Sequence, residues 1–384
     1  MGEHKGRLRI GLIFGGRSGE HKVSLMSART VLNALDKEVY QVHQIGITQS
    51  GTWLSGKNAL DVMSAGKFRE DDHELTAVTI LSDPTQPGLY AIQSDHQMAL
   101  EKLADLDVVI PMLHGTFGED GTLQGLLELA DLAYVGAGVV GSAVGMDKGI
   151  FKDVMTANGI PVVESIVVLR SELERDPESV LVRAEELAPY PLFAKPANLG
   201  SSVGITKCHS RADLVEGLME AAQFDRRLVI ERGINAREIE VSVLGNDNPE
   251  ASVPGEVLPS REFYSYESKY IDGTSGLLIP APLSDEMTTH IRDLAVRAYK
   301  SIDCAGMARV DFLVDKDDSD HSQDTGVYIN EVNTIPGFTG ISMYPKLWEA
   351  SGLPYPGLIE RLIELALSRK ADRDRTVHRK RRPD

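Results

Sequence analysis

The first third of the chain alternates between short apolar runs and segments with helical spacing. The run LRIGLIF at residues 8–14 ends at Gly15 and Gly16, and its continuous apolar character predicts a buried parallel strand. After the polar loop RSGEHK, apolar residues recur at helical spacing: Leu25, Ala28, Val31, Leu32 and Leu35. A second strand over VYQVHQIGI completes a βαβ unit, whose first loop lies where α/β sheets bind ligands.

The same pattern continues to about residue 136. The sequence predicts a strand at 106–111, a helix at 123–132 and another strand at 133–136, so residues 1–136 are expected to form one α/β domain. Residues 64–99 are interpreted as a loop-rich stretch. Gly15, Gly16 and Gly19 do not match the G-x-G-x-x-G fingerprint, which argues against a nicotinamide dinucleotide site.

The strands predicted beyond residue 137 have a different character. A helix over 149–158 precedes strands at 192–196 and 228–232, and between them a Gly/Ser loop leads to a further strand that begins by Ile205. The segment EIEVSVL at 238–244 alternates strictly, as a half-buried antiparallel strand does. Two further strands, near 307–314 and 327–333, are expected to pair. We therefore predict an α/β protein in which an N-terminal parallel domain is followed by an α+β region.

Composition and charge limit the class of protein. The chain has 384 residues, 42% hydrophobic and 25% charged, as in a globular protein of two or three domains. No apolar run approaches the roughly 20 residues of a membrane span, and the N-terminus lacks a signal-peptide core, so we expect a cytoplasmic protein without a membrane partner. The formal net charge of −17 argues against nucleic acid as a partner. Cys208 and Cys304 are too few for a disulfide framework and are interpreted as small buried hydrophobes.

The C-terminal segment has the opposite charge. Residues 369–384 contain eight Lys or Arg and three Asp, and few apolar residues. This composition predicts a basic disordered tail. An interaction of the tail with nucleic acid or a membrane is the alternative.

Lys195 ends a predicted strand and is followed by a loop of small residues, Asn198 to Gly204. A fixed cation beside backbone and hydroxyl donors suits a phosphate chain. The spacing differs from G-x-x-x-x-G-K-[ST], which excludes a Walker-type nucleotide site. A hairpin turn built from small residues is an equally good interpretation of this segment alone.

Three polar residues fall on the two last predicted strands. Glu331 and Asn333 share a face because side chains alternate along a strand, and Asp311 joins them if the neighbouring strand presents it there. Such oxygen ligands are those that Mg²⁺ prefers. The alternative is a solvent-facing polar surface.

Two loops complete the candidate chemistry. The glycine-containing loop 333–342 allows close backbone approach to a ligand, and its amides can stabilise an oxyanion. The segment EFYSYESKY at 262–270 carries charges and three tyrosines without helical or strand periodicity. It is interpreted as a substrate lid, with an ordinary surface loop as the alternative.

Taken together, the motifs resemble those of the D-alanine–D-alanine ligases of the ATP-grasp superfamily. They occur in the family's order: HGTFGEDG, MDK, KPANLGSSVG, E-R-G-x-x-x-R-E, YSYESKY, ARVDF and NEVNTIPGFT. The resemblance implies a two-lobed ATP-grasp fold after the N-terminal domain. The implied domains are residues 1–136 with the first D-alanine site, 137–232 as the central lobe and 233–368 as the C-terminal lobe.

The resemblance also implies how ATP and metal ions are bound. Lys148, Lys195 and Lys269 would contact phosphate, and the flap with Ser201 and Ser202 would close over it. Five residues would carry the remaining contacts. Glu231 would bind the adenine amino group and Glu238 the ribose, whereas the ligands of two Mg²⁺ ions, replaceable by Mn²⁺, would be Asp311, Asn333 and a bridging Glu331.

For the amino acids, the resemblance implies a second set of residues. Glu20 would hold the ammonium group of the first D-alanine, within a trio formed with Ser201 and Tyr270. His114 would be the active-site histidine of the first domain. Ser342 would bind the carboxylate of the second D-alanine, and Lys269 would bind the phosphate. Arg309 and the Gly337 amide would stabilise the oxyanion.

The implied reaction is ATP-dependent ligation of two D-alanine molecules through a D-alanyl phosphate, for peptidoglycan precursors and cell shape, by a homodimer. D-Lactate or D-serine as the second substrate is the nearest alternative, although the lid sequence YESKY is that of the D-alanine enzymes. An ATP-grasp enzyme of another class and a non-catalytic nucleotide sensor are further alternatives. An enzyme of another class would lack HGTFGED together with the lid motif. A sensor would be favoured by loss of the metal ligands or of Arg309, and all of these residues are present.

Overall fold

The computed structural model describes residues 6–66, 75–93, 98–200, 203–258, 276–316 and 326–377, and three β-sheets organise this part of the chain. Their strands span residues 8–134, 165–232 and 236–333 in turn. These spans fall inside the three predicted domain ranges, and the independence of the domains stays a prediction.

The first sheet contains eight of the described strands, in the order β6-β5-β4-β3-β2-β1-β7-β8. The strands are β1 (Leu8–Gly15), β2 (Tyr40–Ile47), β3 (Trp53–Ser55), β4 (Thr76–Ile80), β5 (Leu89–Gln93), β6 (Ala99–Ala104), β7 (Val108–Met112) and β8 (Ala133–Tyr134). Strand β1 pairs in parallel with β2 and β7. The helices are α1 (His21–Ala34), α2 (Ala59–Ser64) and α3 (Thr122–Leu129).

The prediction of a loop-rich stretch over 64–99 is wrong. Strands β4, β5 and β6 extend the first sheet by antiparallel pairing. Each strand has only five or six residues, and turn-forming residues separate them. Alternation over so few positions gives little signal, whereas pairing with the existing sheet edge satisfies the backbone groups of these strands.

The end of β1 shows why the first loop contains glycines. Gly15 and Gly16 have φ values of 91° and 99°. A Cβ on Gly15 would lie 2.1 Å from the carbonyl oxygen of Ile47, so a side chain there is excluded by the neighbouring strand. These two residues turn the chain sharply out of the sheet and lead it to Glu20, the residue before α1.

The second sheet has the order β11-β10-β12-β9 and antiparallel pairing. Its strands are β9 (Ser165–Leu169), β10 (Leu192–Pro196), β11 (Thr206–Cys208) and β12 (Arg227–Arg232). The helices before and around it are α4 (Val139–Met146), α5 (Lys148–Ala157), α6 (Arg170–Arg175), α7 (Pro177–Leu187) and α8 (Arg211–Phe224). Helices α7 and α8 bury their apolar faces against this sheet.

The third sheet is built around the long antiparallel pair β13 and β17. Its strands are β13 (Ala236–Gly245), β14 (Glu250–Ala251), β15 (Gly255–Leu258), β16 (Gly276–Leu278), β17 (Gly306–Asp315) and β18 (Val327–Asn333). One face, with Ile239, Val241 and Val310, packs in a core with helix α9 (Asp285–Ser301). The predicted antiparallel strand at 238–244 and the pairing of the last two strands are confirmed.

The chain ends by returning to the first sheet. Helix α10 (Met343–Ala350) leads to α11 (Tyr355–Arg373), and residues Leu358, Ile359 and Leu362 pack in one core with Ile10 and Leu12 of β1. The burial of this apolar face joins α11 to β1 and stabilises both elements.

The predicted start of a disordered tail at residue 369 is wrong, because α11 continues to Arg373. Arg369 donates to the carbonyl oxygens of Tyr134 and Gly136, and its guanidinium carbon lies 4.3 Å from the centroid of the Tyr134 ring. Arg373 pairs with Glu128 of α3. These partners are remote in sequence, so composition alone did not reveal them. Residues 378–384 lie outside the described residues.

Two smaller expectations concern burial and membranes. Cys208 and Cys304 are free and buried, as predicted. None of the helices in the described ranges is both long enough and apolar enough to cross a membrane.

The contacts of Arg369 predict a measurable contribution to stability. Arg369→Ala removes two hydrogen bonds from a charged donor and the contact with the Tyr134 ring, so the free energy of unfolding should fall by about 2–3 kcal/mol. Arg375→Ala is the control, because its side chain is 81% exposed and should contribute less than about 0.5 kcal/mol. Denaturant unfolding compares the variants. Equal losses in both would contradict the docking role of Arg369.

Candidate active site

The face of the third sheet opposite its core carries a group of polar side chains. Arg309 and Asp311 of β17 lie opposite Asn333 and Glu331 of β18 in the strand register. Glu240 of β13 lies opposite Asp311 on the other side. Because alternate residues share a face, the three strands bring these five side chains together on one surface, with the apolar core on the other.

Arg309 is the centre of this group. Its Nε lies 2.7 Å from Oδ1 of Asp311 and its Nη2 lies 2.7 Å from Oδ2. Its Nε also lies 3.0 Å from Oε2 of Glu240. Burial, together with Glu240 and Glu331, raises the pKa of Asp311 to about 7 although Arg309 opposes the shift. The surface therefore carries more negative charge than Arg309 alone compensates.

The donor set of this surface fits a hard divalent cation. Asn333 Nδ2 lies 3.0 Å from Oδ2 of Asp311 and 3.4 Å from Oε1 of Glu331, so the three predicted ligands converge. No group of three or more His, Cys, Asp or Glu side chains with metal-binding geometry occurs in the described ranges, since this set combines two carboxylates with an amide. Oxygen donors of this kind suit Mg²⁺ or Mn²⁺.

The second sheet contributes a buried ion-pair cluster. Glu231 of β12 pairs through Oε1 with Lys195 of β10, and its Oε2 lies 2.6 Å from Nζ of Lys152 on α5. Lys152 also donates to the carbonyl oxygen of Val163 at 3.1 Å. Burial opposes ionisation of Glu231, but Lys195 and Lys152 more than offset it and lower its pKa to about 2. The cluster thus holds one carboxylate between two ammonium groups.

The start of α5 holds the loop that follows β10. Lys148 Nζ donates to the carbonyl oxygen of Leu199 at 2.7 Å. Asp147 caps α5 by accepting from Gly149 and Ile150, and its second oxygen accepts from Asn198 Nδ2 at 3.0 Å. These hydrogen bonds hold Asn198 and Leu199, the start of the loop, against the first turn of α5. Ser201 and Ser202, which follow Gly200 in the sequence, lie outside the described residues.

Glu20 connects the first domain with this loop. Its side chain is buried, at 9% exposure. A Cβ on Gly115 would lie 2.6 Å from Oε2 of Glu20, and a Cβ on Gly200 would lie 2.9 Å from the same atom. Two glycines thus allow the carboxylate to lie between Gly115 of the HGTFGEDG loop and Gly200.

His114 and Glu119 meet the loop after β18. His114 Nδ1 lies 2.9 Å from the carbonyl oxygen of Ile335, and the Glu119 Oε1 accepts from the Ile335 amide at 3.2 Å. Glu119 Oε2 accepts from the Gly115 amide at 2.6 Å. Burial, followed by the charge of Glu20, raises the pKa of Glu119 to about 8. Gly337 is buried in the same loop.

The remaining predicted residues lie at the margins of the site or outside the described ranges. Glu238 is half-buried on β13, on the same face as Glu240. Ser342 precedes α10, and its Oγ accepts from the Thr339 amide at 3.0 Å. Lys269 and Tyr270, with the rest of the predicted lid, lie outside the described residues.

Four side chains of the site were not assigned from the sequence: Ser27, Glu119, Lys152 and Glu240. Two of them had a local signal. Lys152 lies one helical turn after Lys148, and Glu240 lies two strand positions after Glu238. Glu119 and Ser27 contact residues more than 200 positions away, which no local pattern indicates.

Two family models match this chain. The model of the D-ala D-ala ligase N-terminus matches residues 9–137, and that of the C-terminus matches residues 154–364. The chain belongs to the D-alanine–D-alanine ligase family. A D-alanine–D-alanine ligase of Natranaerobius thermophilus is 47% identical over 369 residues, covering 96% of this chain and 97% of that protein.

Solved structures agree with the family. A D-alanine–D-alanine ligase from Coxiella burnetii has a TM-score of 0.78 and 38% identity, and the match covers 96% of both chains. The VanG D-Ala:D-Ser ligase from Enterococcus faecalis has a TM-score of 0.81 and 33% identity, covering 94% of this chain and 99% of that one. The predicted ATP-grasp fold class, the family and the D-alanine–D-alanine ligase activity are confirmed.

The cluster around Glu231 makes a prediction about stability. Glu231→Gln leaves two buried lysines without their anion, so the free energy of unfolding at neutral pH should fall by about 3–5 kcal/mol. Because the folded pKa of Glu231 is lower than 4.5, its contribution is present above pH 4.5 and is lost as the pH falls towards 2. The difference between wild type and variant should therefore shrink over that range.

The control for this prediction is Glu164→Gln. Glu164 pairs with Arg232 at 2.7 Å, but its side chain is 57% exposed, so the loss should be below about 1 kcal/mol. Denaturant unfolding at pH 7 and at pH 3 gives both comparisons. A Glu231→Gln variant as stable as the control at pH 7 would refute the stabilising role of this cluster.

Proposed function

We propose that this ligase forms D-alanyl-D-alanine through a D-alanyl phosphate, with the residues of the candidate site carrying each step. The observation that supports it most is convergence: the polar face of the third sheet, the loop after β18 and Glu20 meet at one place. An acid, a phosphate donor and an amine need to meet at such a point, because the intermediate is hydrolysed if it leaves.

In the first half of the proposed reaction, the carboxylate of one D-alanine attacks the γ-phosphorus of ATP. A carbon–oxygen–phosphorus linkage forms, the bond from the γ-phosphorus to the bridging oxygen breaks, and ADP leaves. Lys148 and Lys195 would neutralise phosphate charge, with Ser201, Ser202 and Lys269 closing over it. Glu231 would meet the adenine amino group, Glu238 the ribose, and Glu20 the ammonium group of the first D-alanine.

Asp311, Glu331 and Asn333 are the residues that would hold two Mg²⁺ ions, or Mn²⁺ in their place, with Glu331 shared. When bound, the ions supply charge neutralisation for the transferring phosphoryl group. Glu240 offers Arg309 a second carboxylate partner, so Arg309 would keep a counter-charge if Asp311 held a cation.

In the second half, the amine of another D-alanine attacks the acyl carbon of the D-alanyl phosphate. A tetrahedral intermediate forms, and its collapse breaks the carbon–oxygen bond and releases phosphate. Arg309 and the Gly337 amide would stabilise the oxyanion. Ser342 and Lys269 would hold the second carboxylate and the phosphate, and Tyr270 would anchor the lid beside Ser201. His114, as the active-site histidine of the first domain, would hold the loop that carries Gly337.

The proposal extends to the setting of the enzyme. We expect a cytoplasmic homodimer that supplies the dipeptide for peptidoglycan precursors, with neither nucleic acid nor membrane as a partner. Size-exclusion chromatography with light scattering at several concentrations measures the oligomeric state, and a monomer at every concentration would contradict a homodimer.

The second candidate function is ligation of D-alanine to D-serine or D-lactate. The structural match with a D-Ala:D-Ser ligase favours D-serine as the first alternative to test. The purified chain with ATP and Mg²⁺ should release phosphate and form D-alanyl-D-alanine from D-alanine, and L-alanine should give neither. With an equimolar mixture of D-alanine and D-serine, mass spectrometry should show mainly D-alanyl-D-alanine. Predominance of the mixed product would make D-serine the acceptor.

Removal of the charge of Glu331 tests the proposed metal site. Glu331→Gln keeps the shape but removes one anionic ligand, so turnover should fall more than about tenfold, or about 1.4 kcal/mol in the barrier. Glu364→Gln, an exposed side chain on α11, is the matched control and should keep its turnover. Turnover is measured at several Mg²⁺ and Mn²⁺ concentrations, and unchanged metal dependence in Glu331→Gln would remove it from the site.

A further inference from the structure

The loop that carries Gly337 is held by side chains of the first domain at both ends. At one end, Ile335 is bonded through its carbonyl oxygen to His114 at 2.9 Å and through its amide to Glu119 at 3.2 Å. At the other end, the Phe338 amide donates to Oγ of Ser27 at 3.2 Å. Gly337 lies between these anchors, so they restrict the direction of its amide.

The positions of the protons in this network follow from the acceptors. A carbonyl oxygen only accepts, so Nδ1 of His114 carries a proton and donates it to Ile335. Burial lowers the pKa of His114, so the ring is neutral and its Nε2 is an acceptor. The Ser27 Oγ, 2.9 Å from Nε2, donates its proton to that nitrogen and accepts from the Phe338 amide.

Ser27 is therefore the member that connects the two anchors. It is completely buried on α1, and its single hydroxyl group bonds to His114 in one direction and to Phe338 in the other. An alanine at this position would leave the Phe338 amide without its acceptor and Nε2 without its donor. The Ile335 anchor would remain, but the end of the loop next to Gly337 would lose its attachment to the first domain.

We propose that Ser27 is a positioning residue for the second half of the reaction, in which it fixes the Gly337 amide through the Phe338 anchor. This inference rests on the proposed role of Gly337 in stabilising the oxyanion. Phosphoryl transfer from ATP does not use that amide. Loss of the Ser27 hydroxyl should therefore slow attack on the acyl phosphate more than formation of the acyl phosphate, and the waiting intermediate should be hydrolysed.

Helix α1 provides a matched control, Ser24. It is also completely buried, and its hydroxyl group also joins two backbone groups, the Gly15 amide at 2.7 Å and the carbonyl oxygen of Met112. Both of these partners belong to the first sheet. Ser24→Ala therefore removes a comparable buried hydroxyl without touching the loop 334–338.

The experiment measures phosphate release and dipeptide formation for wild type, Ser27→Ala and Ser24→Ala. Wild type and Ser24→Ala should give one dipeptide per phosphate. Ser27→Ala should form dipeptide about tenfold more slowly and release phosphate in excess of dipeptide. Ser27→Thr keeps the hydroxyl and should restore the ratio to one. A ratio of one in Ser27→Ala, or the same excess phosphate in Ser24→Ala or Ser27→Thr, would overturn the inference.

These outcomes separate the inference from the proposed function. If the wild type makes no dipeptide, the proposed function is refuted. If the wild type and Ser27→Ala both form one dipeptide per phosphate released, only the role of Ser27 is refuted.

Amide hydrogen exchange of the ligand-free wild type gives a test that does not depend on the folding of any variant. The Phe338 amide should be protected, and exchange at the rate of an exposed loop would overturn the inference.

Discussion

The site depends most on the burial of one short loop between two parts of the molecule. Residues 334–338 follow β18 directly and are buried against the first domain, where the side chains of His114 and Glu119 bond to Ile335. Glu331 and Asn333 lie at the end of β18, immediately before this loop, and the loop contains Gly337. Groups proposed for phosphoryl transfer and for acyl transfer thus lie within seven residues of each other along the chain. Their relative position is fixed because the loop is packed against the first domain.

Buried charges are the second constraint, and they are compensated within the protein. Glu231 lies between Lys152 and Lys195, and Arg309 lies between Asp311 and Glu240. A buried charge without a partner is costly, so these pairs keep the ligand-free site folded. The proposed ligands carry the same kinds of charge as the internal partners. Binding would then be an exchange of partners, in which Lys152 keeps Glu231 ionised and Glu240 keeps Arg309 compensated.

The sequence predicted those features that arise from local periodicity. Alternation along β18 was enough to place Glu331 and Asn333 on one face, and the register with β17, which the sequence left open, adds Asp311 to that face. The features that it missed depend on partners far along the chain. Strands β4 to β6 are too short to show a clear pattern, the last turn of α11 is held by Glu128, and Ser27 meets Phe338 across 311 positions. Roles of individual site residues stay predictions from the family resemblance.

Both half-reactions are proposed to occur at this one site through a D-alanyl phosphate. Ligation of D-alanine labelled with ¹⁸O in both carboxylate oxygens tests it most directly. Attack of the carboxylate on ATP, followed by expulsion of phosphate by the second amine, transfers one labelled oxygen to phosphate and leaves the other in the new amide. Mass spectrometry should therefore find one ¹⁸O in each phosphate released and one dipeptide formed per phosphate. Unlabelled phosphate, with dipeptide formed at the normal rate, would contradict the claim.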